Sequence, residues 1–300
     1  MRTFSRWMAL AVLVGGPAAY ADRNDIELTK LGNPDVGEVY AYSTPNTDFR
    51  AFARTLGAVM TATNLTPPET LGHAGFFVGM ELGVVGLPSD VKLPMVRPQE
   101  GSVLVPSVHV RKGLPFSIDV GARVGWLDRS SMFAATGEVK WAVNEGFIPW
   151  LPDIGLRAHV THLLNTRDLH LTAGGLDVGV GKQFPLGGMI TLTPYGGIDF
   201  VGVAAESELV GFQQTPPPPG TPGDPRIPSN LAVAAYKPVN GWENINTRFY
   251  AGGRFIGGAL HLGAEVSLSS QGTIPLNEKG TESRALPAVL AFSTTLGLDF

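Results

Sequence analysis

Three histidines, His109, His159 and His261, stand among carboxylates and cations in stretches where every second residue is apolar. A carboxylate beside an imidazole is a minimal device for moving a proton, and His with Asp or Glu is also a divalent-metal ligand set. Both chemistries need their groups converged on one rim or in one cleft. The three histidines lie far apart in the chain, on different alternating segments, and no G-x-S-x-G or H-E-x-x-H motif accompanies them. Their spacing supports neither a catalytic triad nor a metal site. No catalytic residue, metal or cofactor is expected.

The histidines belong to a wider set on the polar parity of the same stretches: Glu81, His109, Arg111, Asp119, Arg123, Glu138, Lys140, Arg157, His159, Asp177, Lys182, Asp199, Arg254, His261 and Glu265. Both signs are interleaved. Withdrawn from water, such groups hold only as ion pairs, because an unpaired buried charge is costly. The expectation is a network of salt bridges, favoured over a selective substrate path.

The elements that must position this set read as strands. In 116–126 every even residue from Phe116 to Trp126 is apolar and every odd one is polar, charged or Gly; the same period of two runs through 76–85, 133–144, 190–201 and 260–269. Four stretches are softer. Val103 and Val105 blur the contrast in 102–111, and the pattern in 154–164 fails at His162. In 169–184 the apolar parity changes at Gly174-Gly175, which suggests a β-bulge. The stretch 247–255 is short and Gly-rich. With the C-terminal segment these make ten strands, twelve being the alternative. The 38 Gly, 24 Pro, absence of Cys and 16% charged residues disfavour a helical bundle, and no run of 18 apolar residues could form a spanning helix. The fold class is therefore all-β: a transmembrane antiparallel up-and-down β-barrel, apolar toward lipid and polar toward a narrow lumen. Trp126, Trp141, Phe184, Tyr195, Phe249 and Phe292 suit interfacial girdles.

Residues 1–21 read as a signal peptide, with Arg2 and Arg6, an apolar stretch from Met8 to Val14, and cleavage after Ala19-Tyr20-Ala21. Removing Arg2 and Arg6 from the 22 basic residues leaves 20 against 26 acidic ones, a formal charge of −6, which argues against nucleic-acid binding. Residues 22–71 read as a periplasmic N-terminal segment. It carries an amphipathic helix over about 47–61, capped at Thr47-Asp48, with Phe49, Phe52, Leu56 and Met60 on one face. A helix covering the periplasmic rim is favoured over a plug in the barrel mouth. The barrel occupies 72–300. Connections 86–101, 206–246 and 270–286 are long and those near 112, 186 and 257 are short, as outer loops and periplasmic turns would be if both chain ends were periplasmic. The Pro-rich run at 215–225 reads as an exposed spacer within the long outer loop.

The last strand alternates through Leu290, Phe292, Leu296 and Leu298 and stops at Phe300. It resembles the C-terminal signature of bacterial outer-membrane barrels, in which Phe292, Leu296, Leu298 and Phe300 would form the segment read by the barrel-assembly machinery. Glu69-Thr70-Leu71-Gly72, followed by Gly75-Phe76, and Thr193-Pro194-Tyr195-Gly196-Gly197 are similar to outer-membrane proteins of deltaproteobacterial type. The resemblance implies an integral protein of a Gram-negative outer membrane, with lipid and the assembly machinery as partners; an envelope protein is a further candidate partner under the anchor alternative below. The expected function is porin-like passage of small solutes or hydrophobic molecules. The alternative is a non-conducting anchor of an envelope complex serving motility or polysaccharide export. An outer-membrane enzyme is the least favoured reading.

Overall fold

The structure is a computed structural model that describes residues 22–35, 39–97, 101–144, 151–187, 190–212 and 233–300. The signal region with Ala19 and Ala21, and the proline run at 215–225, lie outside them. Ten long strands follow in order: β1 (Phe76–Gly86), β2 (Ser102–Leu114), β3 (Ile118–Trp126), β4 (Phe133–Ala142), β5 (Asp153–Leu164), β6 (Leu169–Gly181), β7 (Ile190–Ser207), β8 (Ile245–Gly257), β9 (Leu260–Ser270) and β10 (Val289–Asp299). Each pairs antiparallel with its neighbours in the chain, and β10 returns to β1 with Asp299 opposite Phe77 and Ala291 opposite Val85. The sheet closes on itself and the barrel has no free edge.

The outward face is apolar on every strand. Met80, Val108 and Val124 stand side by side at mid-strand, and Val139, Val160, Leu176, Phe200, Phe249, Val266 and Leu296 continue the belt. Water would penalise a continuous apolar surface of this extent, whereas the hydrocarbon of a bilayer requires it and the closed ladder satisfies the backbone there. The chain is thus a transmembrane barrel. Val108, 49% exposed, tests the assignment. Val108→Arg is expected to destabilise the folded barrel in vesicles by about 2–4 kcal/mol, read as a lower urea midpoint. An unchanged midpoint would place Val108 outside the lipid belt.

One end of the barrel carries the connections 87–101, 208–244 and 271–288 together with the short 127–132 and 165–168. The other carries 115–117, 143–152, 182–189 and 258–259. Phe300 is at the short-turn end, where its carbonyl and amide exchange hydrogen bonds of 2.9 and 2.8 Å with Phe76.

The softer stretches resolve into regular strands. β6 keeps one uninterrupted register with both neighbours across Gly174-Gly175, so the expected bulge is absent. Leu169 and Leu171 point inward, on the same parity as Asp177, while Leu176 and Val178 point outward. The parity never changes; the character of the lumen does. Val103 and Val105 face inward for the same reason, and His162 continues the outward row of β5 at the long-loop end, bonded to Thr172 Oγ1 at 2.8 Å. β8 runs for 13 residues rather than the nine expected at 247–255. Tyr195, expected at an interface, points inward and donates to Glu265 Oε2 at 3.0 Å.

The helix α1 spans Thr44–Met60, three residues ahead of the expected start, and follows Ser43 rather than a Thr47-Asp48 cap. Pro45 falls in its first turn, where the missing N–H costs no hydrogen bond, and Thr47 N already donates to Ser43 O at 3.0 Å. The favoured rim position is also corrected. α1 lies inside the barrel, with Phe49, Phe52 and Leu56 buried and Met60 packed beside them. Twelve of its 17 residues are buried, which only enclosure on all sides can produce.

Candidate functional site

The lumen is the site, and its upper storey is apolar. Near the long-loop end, Val85, Val103, Leu163, Leu169, Leu171, Val201, Val203, Val289 and Ala291 turn inward and pack against Phe49, Phe52, Leu56 and Val59 of α1. A Cβ at Gly57 would come within 2.6 Å of Val203, so this glycine sets how closely α1 lies against β7. Arg54 fixes the helix to the wall, donating to Asn246 Oδ1 at 3.2 Å and to the carbonyls of Ile245 and Thr273 at 2.9 and 3.1 Å.

Ahead of α1, residues 22–35 lie among the long connections. Arg97 N and Val96 N donate to Arg23 O and Asp25 O, and Glu27 N donates to Pro94 O at 2.7 Å. Tyr236, in the connection between β7 and β8, donates to Leu28 O and Gly32 O at 2.8 and 2.7 Å. Burial, with Asp48 nearby, raises its phenol above the ordinary value and keeps it a donor. Residue 22 and Phe300 therefore stand at opposite ends of the barrel, because the segment between Asp22 and β1 runs down the lumen.

Below the helix this segment is extended and held by its main chain. Arg248 donates to Thr61 O at 2.7 Å, Ser267 to Ala62 O at 2.8 Å, and Arg123 to Thr63 O and Asn64 O at 3.0 and 2.8 Å. The Glu265 carboxylate accepts from Asn64 N and Leu65 N at 3.0 and 2.8 Å, across a turn in which Leu65 has φ +54°. Lys140 donates to Pro67 O at 2.9 Å and to Glu69 O, and Asp119 accepts from Leu71 N at 3.1 Å. Glycines make the room: a Cβ at Gly155 or Gly181 would come within 2.8 Å of Pro68, and one at Gly113 would overlap Gly72 O.

The ionisable residues surround this segment. Register alone brings Asp119, Lys140, Arg157, Asp177, Asp199 and Arg248 into one row of directly opposed partners from β3 to β8. Two carboxylates, Asp177 and Asp199, face each other in that row, and like charges so placed repel. Two guanidiniums bracket them. Arg157 lies 3.1 Å from Asp177 and 3.7 Å from Asp199, and Arg248 lies 2.8 Å from Asp199 and 3.8 Å from Asp177. Arg157 also reaches Glu138 at 2.9 Å, His159 meets Asp199 at 3.0 Å, and Arg123 meets Glu81 at 2.6 Å. His109 stands between Glu81 and Glu138, 2.8 and 3.0 Å away. Toward the short-turn end, Asp119 takes Lys140 at 3.2 Å and Arg111 at 3.9 Å, Arg254 takes Glu69 at 2.9 Å, and His261 takes Asp299 at 3.1 Å. Arg111 also lies over the Phe77 ring, 4.7 Å from its centroid.

Of the set read from sequence, Lys182 alone is misplaced. It follows the end of β6, half-buried at the short-turn end, and donates to Leu151 O at 3.2 Å. Glu265 is inward, yet it caps backbone amides instead of joining an ion pair. Arg248 and Asp299 were missed, although parity with Arg254 in β8 and with Thr295 in β10 points both inward. Glu69, Asn64 and Arg54 carry no such signal, because they sit on the lumen-filling segment and not on the wall.

The three histidines face carboxylates, but none touches a serine or threonine hydroxyl inside the network, and all are buried. Among the described residues no group of three His, Asp or Glu side chains is placed to hold a metal ion. Two voids beside the segment, one against Leu56 and Met60 and one against Pro68 and Lys140, measure about 10 Å³ each, room for about one water apiece. The lumen at these levels is filled by protein.

No protein-family model matches the chain, and no curated protein matches its sequence. Solved structures resemble it weakly. The translocator domain of autotransporter NalP from Neisseria meningitidis is 10% identical, with 88% of this chain and 99% of that chain covered and a TM-score of 0.36. Neisserial surface protein A is 8% identical, covering 75% and 95%, with a TM-score of 0.28. Ail, the attachment invasion locus protein of Yersinia pestis, is 10% identical, covering 76% and 99%, with a TM-score of 0.26. Scores this low carry nothing about function. What the chain itself establishes is a closed, ten-stranded antiparallel transmembrane β-barrel whose lumen is filled by its own N-terminal segment.

Proposed function

We propose that this protein is an integral barrel of a bacterial outer membrane that stays closed and serves as a membrane-anchored platform, with no catalytic role. One observation carries the reading: residues 44–75 occupy the lumen from the long-loop end to the short-turn end, sealed by apolar packing above and by the charge network below. A porin-like passage needs a continuous aqueous path, and ten strands leave little width to share with a helix and an extended chain. The expected signal peptide supports export, and the asymmetry of the connections supports an orientation with the short turns in the periplasm and the long connections outside. On the outer side, residues 22–35 and the connections knit into a cap that offers an envelope or surface partner a fixed shape.

The test is electrical. Full-length protein refolded into planar bilayers is expected to show no stable conductance steps. Reproducible steps from the unaltered chain would overturn the closed reading and restore porin-like passage.

A further inference from the structure

We infer that the lumen is a binding site for an extended polypeptide, filled here by residues 61–71 of the same chain, and that it delivers the residues ahead of them to the membrane face opposite Phe300. The inference rests on the orientation proposed above only for naming which face is outside.

The chemistry of the wall carries it. Between Thr61 and Leu71, six carbonyls and three amides of the main chain are met by wall side chains; the ties to the segment's own side chains include Thr63 to Ser293, Asn64 to Asp177 and Glu69 to Arg254. Carbonyls and amides are common to every polypeptide. A wall that spends arginine, lysine and carboxylate groups on them recognises a chain as a chain, with little regard to its side chains. The glycines at 113 and 155 complete the site by letting backbone pass where a side chain would collide, and Gly181 leaves room for the Pro68 ring.

The direction of delivery follows from connectivity. Gly75 leads straight into β1 at the short-turn end, while residues 22–35 are bonded to the long connections at the other end. The barrel closes where β1 zips to β10, from Phe77–Asp299 to Val85–Ala291. A segment bearing α1 and a folded stretch at 22–35 is too bulky to pass through this lumen once closed. It must lie between the strands before the seam forms, and closure then fixes the N-terminal side of the chain on the far face.

The chain has no cysteine, so single cysteines report position without background. Asp22→Cys, Lys279→Cys in the connection after β9, and Ala259→Cys in the turn before β9 are all at exposed positions. Each full-length variant is expressed in cells and treated with a membrane-impermeant maleimide before and after lysis. Asp22→Cys and Lys279→Cys are expected to label on intact cells as fully as in lysate, and Ala259→Cys only after lysis. Labelling of Asp22→Cys in step with Ala259→Cys would overturn the delivery. If instead Lys279→Cys is the protected site and Ala259→Cys the open one, the proposed orientation fails, while Asp22→Cys tracking Lys279→Cys still upholds the threading. Main-chain recognition is tested by adding Thr63→Ala and Asn64→Ala, which remove the ties to Ser293 and Asp177, to Asp22→Cys. An unchanged labelling pattern and heat-modifiable gel mobility are expected; loss of either means that side chains hold the segment, and the recognition of a generic polypeptide is wrong.

Discussion

Replacing Arg157 by Met is expected to cost the barrel about 3–5 kcal/mol, the penalty of leaving buried charges without their partner. Arg157 is 4% exposed and serves Glu138, Asp177 and Asp199 at once. Methionine fills much of the same volume, so the loss comes from charge and hydrogen bonding and not from a cavity. After the change, Asp177 and Asp199 face each other across β6 and β7 with Arg248 alone between them. Urea unfolding in vesicles, followed by heat-modifiable gel mobility, reads the loss as a lower midpoint. The deficit should persist in high salt, because mobile ions screen surface charges far better than buried ones. Adding Asp177→Asn to Arg157→Met should recover part of it by removing one of the stranded carboxylates. A single mutant with the parental midpoint would mean that the network is wet and that its ion pairs are screened.

Leucine at both Gly155 and Gly181 is expected to turn a silent barrel into a conducting one. Each Cβ would lie within 2.8 Å of Pro68, and the rest of the leucine has nowhere to go but the space held by the segment. Expelling Pro68 separates Lys140 from Pro67 O and Glu69 O, and Arg254 from the Glu69 carboxylate. The lower lumen would then be lined by charge and open to water, while the outward lipid face stays as it was. Single-channel recording should show discrete steps where none are expected of the parent, and added protease should cut near residue 68 in the folded mutant alone. Two leucines accommodated with no conductance would show that the segment can shift within the lumen without clearing it. The closed state would then depend on α1.

The outer face of this barrel was legible in the sequence because lipid is the same solvent on every strand. Each outward position answers to one rule, so alternation alone located the strands from Phe76 to Asp299 and turned most of the ionisable residues inward. The inner face answers to no single rule. Where it meets α1 it is Leu169, Leu171 and Val203; where it meets the extended segment it is Arg123, Lys140 and Glu265. A period-two reading took that change of partner for a change of parity in 169–184, and took the apolar collar at Val103 and Val105 for noise.

By itself the sequence determined an antiparallel barrel of about ten strands, its lipid-facing belt, the ends that carry long and short connections, and a lumen charged with both signs; the strand pairings settled ten over twelve. Tertiary structure alone decided what those charges serve. Register set Asp177 against Asp199 and brought Arg157 and Arg248 between them, which spacing along the chain cannot show. Threading put residues 22–35 at the end opposite Phe300 and made Glu69, Asn64 and Arg54 part of the site. The helix announced itself by its periodicity, but the extended stretch after it, met on all sides by a closed wall, has none, and its place is written in the partners it meets.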